Sequence, residues 1–222
     1  MDALHRAEGL KRERFQQAWR AIGARDGQPF RTVQECYGEP HRAYHGQAHI
    51  AECLAWLDQL WEHARRPAEL EIAIYFHDVV YDPGAADNEA RSAALFSTLA
   101  LDAGARPEAI ERIALLIQST REHVAEGGDA ALLSDIDLAI LGSSPCRYRR
   151  YVEQVRSELS FVPDEMWRRG RAAFLREMLA RLCIYNIPQM SRQLEGQARR
   201  NMEAELNELC GVAKGGGRAR GQ

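Results

Sequence analysis

No stretch of this 222-residue sequence approaches the ~18 consecutive apolar residues of a membrane span. Its opening, MDALHRAEGLKRERF, has none of the apolar run of a secretory leader. Membrane insertion and secretion are therefore not expected, and a cytoplasmic protein is. Cysteine is scarce and unpaired. The five cysteines, Cys36, Cys53, Cys146, Cys183 and Cys210, are scattered and odd in number, and no CxxC pair suggests a zinc knuckle or dithiol redox motif. They read as reduced thiols. An excess of one charge is missing too: 29 basic against 32 acidic residues give −3, too little for a global field that attracts a nucleic-acid polymer or an anionic membrane. Any phosphate must be held locally. Sustained strand-like alternation is also absent, and with no repeat and no linker the expectation is an all-α chain, one helical domain over residues 1–210 followed by a disordered tail over 211–222.

What is present is helical periodicity from end to end. A first helix is expected from about Ala3 to Ala24, with Leu10, Phe15, Trp19 and Ile22 on its buried stripe. Thr32 and Glu35 have capping-box spacing for a short helix. Ile50, Leu54, Leu57 and Trp61 mark a helix from Gln47 to Arg66, stopped by Pro67. The segment AELEIAIYFHDVVYDPG is apolar nearly all round, as a central buried helix would be. Asp87 caps a helix to Ala103, and Pro107 opens the next, carrying Ile110, Ile113, Leu116 and Ile117. Further helices are expected from Ala130 to Leu141, from Ser144 with Pro145 to Ser160, from Pro163 with Asp164, and from the 185–188 break to Cys210.

The chemistry lies where polar groups interrupt apolar helices. His77 and Asp78 sit within the most apolar segment, where an imidazole and a carboxylate are costly without partners. Upstream, in YHGQAH, His45 and His49 stand four apart and share a face if the helix starts early enough, with Gly46 leaving that start open. Downstream, LLSDIDLAILG places Asp135 and Asp137 among apolar residues. Together these donors suit a divalent transition metal, magnesium or manganese. Asp135 has other available roles: orienting a histidine ligand, capping, or pairing with an arginine. Arg42, Arg91, Arg121, Arg147, Arg156 and Arg199 are all available as phosphate clamps, and His5, His41 and His63 have no supporting neighbours.

In order, His49, His77-Asp78 and Asp137 resemble the H…HD…D signature of the HD superfamily. YHGQAHI, YFHDVVYDP, DNEARSA, SDIDLAILG, VRSEL and EGQARRNMEAEL resemble a bacterial family of predicted metal-dependent HD phosphohydrolases, over most of the chain except its ends. YHGQAH is also similar to the YHNxxH element of cyclic-nucleotide phosphodiesterases, with Gly46 in the Asn position. The resemblance implies an HD-type helical bundle with added N- and C-terminal helices. It implies a divalent ion (Mn, Mg, Fe, Co, Ni or Zn) held by His49, His77, Asp78 and Asp137, and His45 as proton donor. Glu89 becomes a group that positions or deprotonates water, with a helix-dipole role as its alternative. From the residues themselves, Asn88 opens the helix after the HD pair and is a candidate substrate contact, and His123, three residues from Thr120 near the end of an apolar helix, is another, or alternatively a second-metal ligand or a helix C-terminal residue.

The expected activity is metal-dependent hydrolysis of a small phosphate ester, a nucleotide or related molecule. The alternatives are a noncatalytic metal- and nucleotide-binding HD module and a di-iron HD oxygenase. The oxygenase typically needs two further histidines between the HD pair and the last Asp, where only His123 stands.

Overall fold

The computed structural model describes residues 10–25, 27, 29–122 and 127–211. All regular structure among them is helical: ten α-helices and two 3-10 turns, with no strand. The 1–9 part of the first expected helix and the tail from residue 212 lie outside the described residues.

Helix α1 (Arg12–Ala21) buries Phe15, Ala18 and Trp19. Helix α2 (Pro29–Cys36) starts earlier than its expected cap: Pro29, whose fixed φ suits a first turn, opens it and leaves Thr32 inside the helix. Helix α3 (Gln47–Leu60) runs on into the 3-10 turn Trp61–His63. Helix α4 (Pro67–Phe76) and helix α5 (Asn88–Asp102) are joined by the loop carrying His77 and Asp78. Asp87 occupies the N-cap position of α5, but its side chain makes no capping hydrogen bond. Helix α6 (Pro107–Ser119) opens on its proline as expected. The expected helix from Ala130 to Leu141 is two pieces, α7 (Gly128–Asp137) and the 3-10 turn Leu138–Gly142. Helix α8 (Pro145–Glu158) is capped by Ser144, whose Oγ accepts from Arg147 N at 3.4 Å. Helices α9 (Asp164–Ala180) and α10 (Pro188–Leu209) complete the chain.

Helix α4 is the hub. Every residue from Glu69 to Phe76 is buried, and the helix packs against α1, α3, α5, α6 and α7. Aromatic side chains fill the α1–α4–α5 junction: Phe15 lies 5.0 Å from Tyr75, Trp19 6.0 Å from Phe76, and Phe76 5.2 Å from Phe96, centroid to centroid. Burying acids on such a helix requires partners. Glu71 receives Arg14 of α1 at 3.0 and 3.3 Å, and Glu69 receives Arg112 of α6 at 2.8 and 2.6 Å. Buried apolar residues from Leu10 to Met202 form one connected core.

The C-terminal helices fix the end of α7. Asp135, fully buried, accepts from Asn186 N, Asn186 Nδ2 and Ile187 N at 2.8, 2.9 and 2.6 Å, which secures the entry to α10. Asn201 of α10 donates to the carbonyls of Leu141 and Ser143 at 2.8 and 2.9 Å. At Gly142 the turn touches α10 so closely that a β-carbon would stand 2.5 Å from Leu194 Cβ. No helix among the described residues is long and apolar enough to cross a membrane.

Candidate metal centre

Helix α4 stops at Phe76, so His77 and Asp78 lie just past its C-terminus rather than within it. The chain is turned there by specific bonds. His77 Nδ1 lies 2.9 Å from Ile74 O, and Val79 N donates to Phe76 O at 3.2 Å. Arg42 donates to Asp78 O at 2.6 Å, Val79 O at 2.9 Å and His45 O at 3.2 Å, and Tyr37 Oη accepts from Asp78 N at 3.2 Å. Since a backbone carbonyl only accepts, His77 Nδ1 donates to Ile74 O, and Nε2 is the nitrogen that faces the cluster. The helix C-terminus also favours a cation nearby.

That nitrogen faces a second imidazole. His49 Nε2 is 3.2 Å from His77 Nε2. Around them, Asp137 Oδ1 lies 3.0 Å from His49 Nε2 and 3.5 Å from His77 Nε2, and Asp78 Oδ2 lies 3.1 Å from His77 Nε2 and 3.9 Å from His49 Nε2. Ligand bonds of about 2.1 Å place neighbouring donors about 3.0 Å apart in an octahedron and about 3.4 Å apart in a tetrahedron. The donor set fits a divalent ion in chemistry, and His49, His77 and Asp78 lie close enough to one another to share one. It also fits in charge. Burial opposes a charged His77, but Asp78 and Asp137 outweigh it and raise its pKa well above the usual range. Burial pushes Asp78 up, and His77 outweighs that and holds it far down. Without a cation the cluster must hold a proton to offset its carboxylates; a divalent ion would do so directly.

Cys53, one turn along α3 from His49, is also within ligand reach of His49 and Asp137. Its sulfur is 3.7 and 3.8 Å from the two His49 ring nitrogens, which places it over the ring face rather than along a lone pair. Burial pushes its thiol pKa well up. Cys53 packs the ligand ring.

His45 stands outside α3, which begins at Gln47 with Gly46 as its N-cap in extended conformation (φ −115°, ψ −170°). The two histidines therefore do not share a helix face; the turn before α3 brings their ring centroids to 6.1 Å. His45 is oriented by a residue the sequence reading missed. Glu158, the last residue of α8, holds His45 Nδ1 at 2.7 Å, and its other oxygen accepts from the backbone N–H groups of Tyr44 and His45 at 2.7 and 2.9 Å. Tyr81 donates to the same carboxylate at 3.0 Å. Burial opposes the charged imidazole, yet Glu158 and the cluster aspartates outweigh it and raise the His45 pKa. With Nδ1–H committed to Glu158, Nε2 is left to exchange a proton, and 23 % of the side chain remains accessible.

The remaining candidates divide. Asn88 uses both ends of its amide on Asp82, accepting from its N–H at 3.0 Å and donating to its carbonyl at 2.9 Å. It closes the loop after Asp78. Glu89 lies in the first turn of α5, and no hydrogen bond or ion pair joins it to the cluster among the described residues. His123 and His5 lie outside the described residues. Most of the arginines are engaged elsewhere: Arg147 pairs with Glu52 through Nε and Nη2, Arg156 with Asp164 and two carbonyls, Arg199 with Glu195 and three carbonyls. Arg91 and Arg121 are exposed. Arg42 and Tyr37, which shape the ligand loop, carry no local signal of that role, because their partners lie 36 and 41 residues away.

Comparison of the chain with protein-family models, with curated proteins and with solved structures gives no match.

Proposed function

We propose that this chain is a metal-dependent phosphohydrolase of HD type that acts in the cytoplasm on a small phosphate ester, a nucleotide or related molecule. The observation that carries the reading is the convergence of two imidazole Nε2 atoms 3.2 Å apart with the carboxylates of Asp78 and Asp137 around them. Structural histidines in a core have no need of two neighbouring carboxylates. The near-balanced net charge of −3 supports a small ester over a nucleic-acid polymer.

His49, His77, Asp78 and Asp137 would hold the ion. When bound, it supplies Lewis-acid stabilisation of phosphoryl charge and lowers the pKa of an attacking water. Ile74 keeps His77 in the tautomer that leaves Nε2 free, and Arg42 with Tyr37 fixes the backbone of Asp78. His45 donates a proton from Nε2 to the departing ester oxygen, while Glu158 holds Nδ1–H and so sets the ring's orientation.

The test is phosphate release from a panel of phosphate esters with Mn²⁺, Mg²⁺, Co²⁺ or Fe²⁺, for the wild type and His45→Gln. Wild type should release phosphate only with metal. His45→Gln should retain metal and lose about 10²- to 10⁴-fold in kcat. Release that ignores a chelator overturns the reading; metal binding without release from any ester assigns the chain to the noncatalytic HD modules instead.

A further inference from the structure

Beside the candidate acid, an open groove of about 570 Å³ lies among the loop before α3, the loop between α4 and α5, and the end of α8. That volume falls in the ordinary range of small-molecule sites. Its walls offer aromatic surface from His41, Tyr81 and Phe161, and polar groups from Asp82 and Ser160, with the buried Glu158 behind them. The His41 and Tyr81 rings are nearly parallel, 7° apart in plane. Phe161 is 64 % exposed, an apolar ring standing in solvent at the groove's edge. Among the described residues the lining presents the exposed Asp82 carboxylate and neither lysine nor arginine.

The groove connects to the proton donor. Tyr81 lies 4.3 Å from the His45 ring, centroid to centroid, and Tyr81 and Glu158, which both line the groove, are hydrogen-bonded to each other. His45 also lies 6.1 Å from His49, centroid to centroid. The imidazole thus adjoins both the ligand cluster, through His49, and two residues of the groove, Tyr81 and Glu158.

We propose that this groove receives the alcohol released from the ester, and that its fitting occupant is uncharged, ring-bearing and hydroxylated, a nucleoside in chemical class. The favoured substrate is then a nucleoside monophosphate rather than an ester whose leaving group itself carries phosphate. This inference rests on the hydrolase reading above. An aromatic base stacks on Phe161 or on the His41–Tyr81 pair, and sugar hydroxyls donate to the Asp82 carboxylate or exchange hydrogen bonds with Ser160. A leaving group bearing phosphate would meet the Asp82 carboxylate, which no lysine or arginine of the described lining offsets. In the step itself the ester P–O bond breaks, a water oxygen bonds to phosphorus, and the His45 Nε2 proton goes to the leaving oxygen. The neutral alcohol remains in the groove, and His45 is reprotonated by the proton the water gives up.

The experiment has a binding arm and a turnover arm. Adenosine, guanosine, cytidine and uridine are titrated separately by calorimetry into wild type, Phe161→Ala and Ser160→Arg; phosphate release is measured from the matching monophosphates and diphosphates. Wild type should bind at least one nucleoside, and Phe161→Ala should weaken that binding about tenfold with its circular dichroism unchanged. The wild type kcat/KM should be at least about tenfold higher for the monophosphate than for the diphosphate, whose leaving group is itself a nucleotide, and Ser160→Arg should narrow that ratio. Absence of nucleoside binding, binding unchanged in Phe161→Ala, or equal turnover of mono- and diphosphate overturns the groove assignment. Nucleoside binding without phosphate release from any ester overturns the hydrolase reading instead, so the two failures are distinguishable.

Discussion

Asp135 and Asp137 differ by two positions and have opposite surroundings. Asp135 is spent on the backbone of Asn186 and Ile187, whereas Asp137 stands 3.0 Å from His49. Asp135→Asn should cost about 1–3 kcal/mol of stability, since it weakens charged hydrogen bonds to buried donors, while sparing bound metal. Asp137→Asn should do the reverse, removing metal and leaving the apo-protein's thermal midpoint nearly unchanged or raised. Unfolding curves paired with metal content distinguish them. From the residues alone the two aspartates were equivalent, because both interrupt the same apolar run; only the resemblance separated them. Glu158 was invisible for a different reason: its partner His45 lies 113 residues away, and a glutamate at a helix end is ordinary in sequence. Burial raises the Glu158 pKa, but His45 and two backbone N–H groups outweigh it and bring it below the usual carboxylate value. A depressed acid contributes stability above its unfolded value, about 4.3, and loses it as pH falls through the folded one. The stability gap between wild type and Glu158→Gln, about 1–3 kcal/mol above that pH, should therefore close on acidification, as denaturant midpoints between pH 3 and pH 6 would show.

Helices were legible as elements and less so at their ends, and the ends carry the site. The apolarity of α4 was plain in AELEIAIYF, yet its stop at Phe76 is set by the His77 bond to Ile74 O and by Arg42, a residue far upstream. The break after Asp137 is set from α10, through Asn201 and the close approach of Leu194 to Gly142. None of this is periodicity. Proline signals succeeded where they were local: Pro107, Pro145 and Pro188 each open the helix they precede. Gly142→Ala tests the element-level claim. The added methyl group would meet Leu194 with no room to spare, so the 3-10 turn must shift, at a cost of about 1–3 kcal/mol. Because the turn follows directly on Asp137, metal affinity should fall as well. An unchanged midpoint in denaturant together with unchanged affinity would show that α10 does not place that aspartate.

At the scale of the whole molecule, the buried acids differ in what they face. Glu69 and Glu71 each have an arginine from a neighbouring helix, and Glu205 of α10 has Arg171 of α9 at 2.8 and 3.1 Å. The carboxylates of Asp78 and Asp137 instead surround two imidazoles whose Nε2 atoms lie 3.2 Å apart. This cluster is where the proposed cation would offset the carboxylates. An ion bound only by the folded state stabilises it, by about 2.7 kcal/mol at a concentration one hundred times Kd. The most direct measurement is elemental analysis of wild type and Asp78→Asn protein after loading with Mn²⁺, Co²⁺ or Fe²⁺ and desalting, with thermal midpoints taken on the same samples. The account predicts at least about one ion per chain in the wild type, a raised midpoint, and loss of both in the variant while its helical content is kept. No ion retained under any loading, or equal retention in Asp78→Asn, would contradict it.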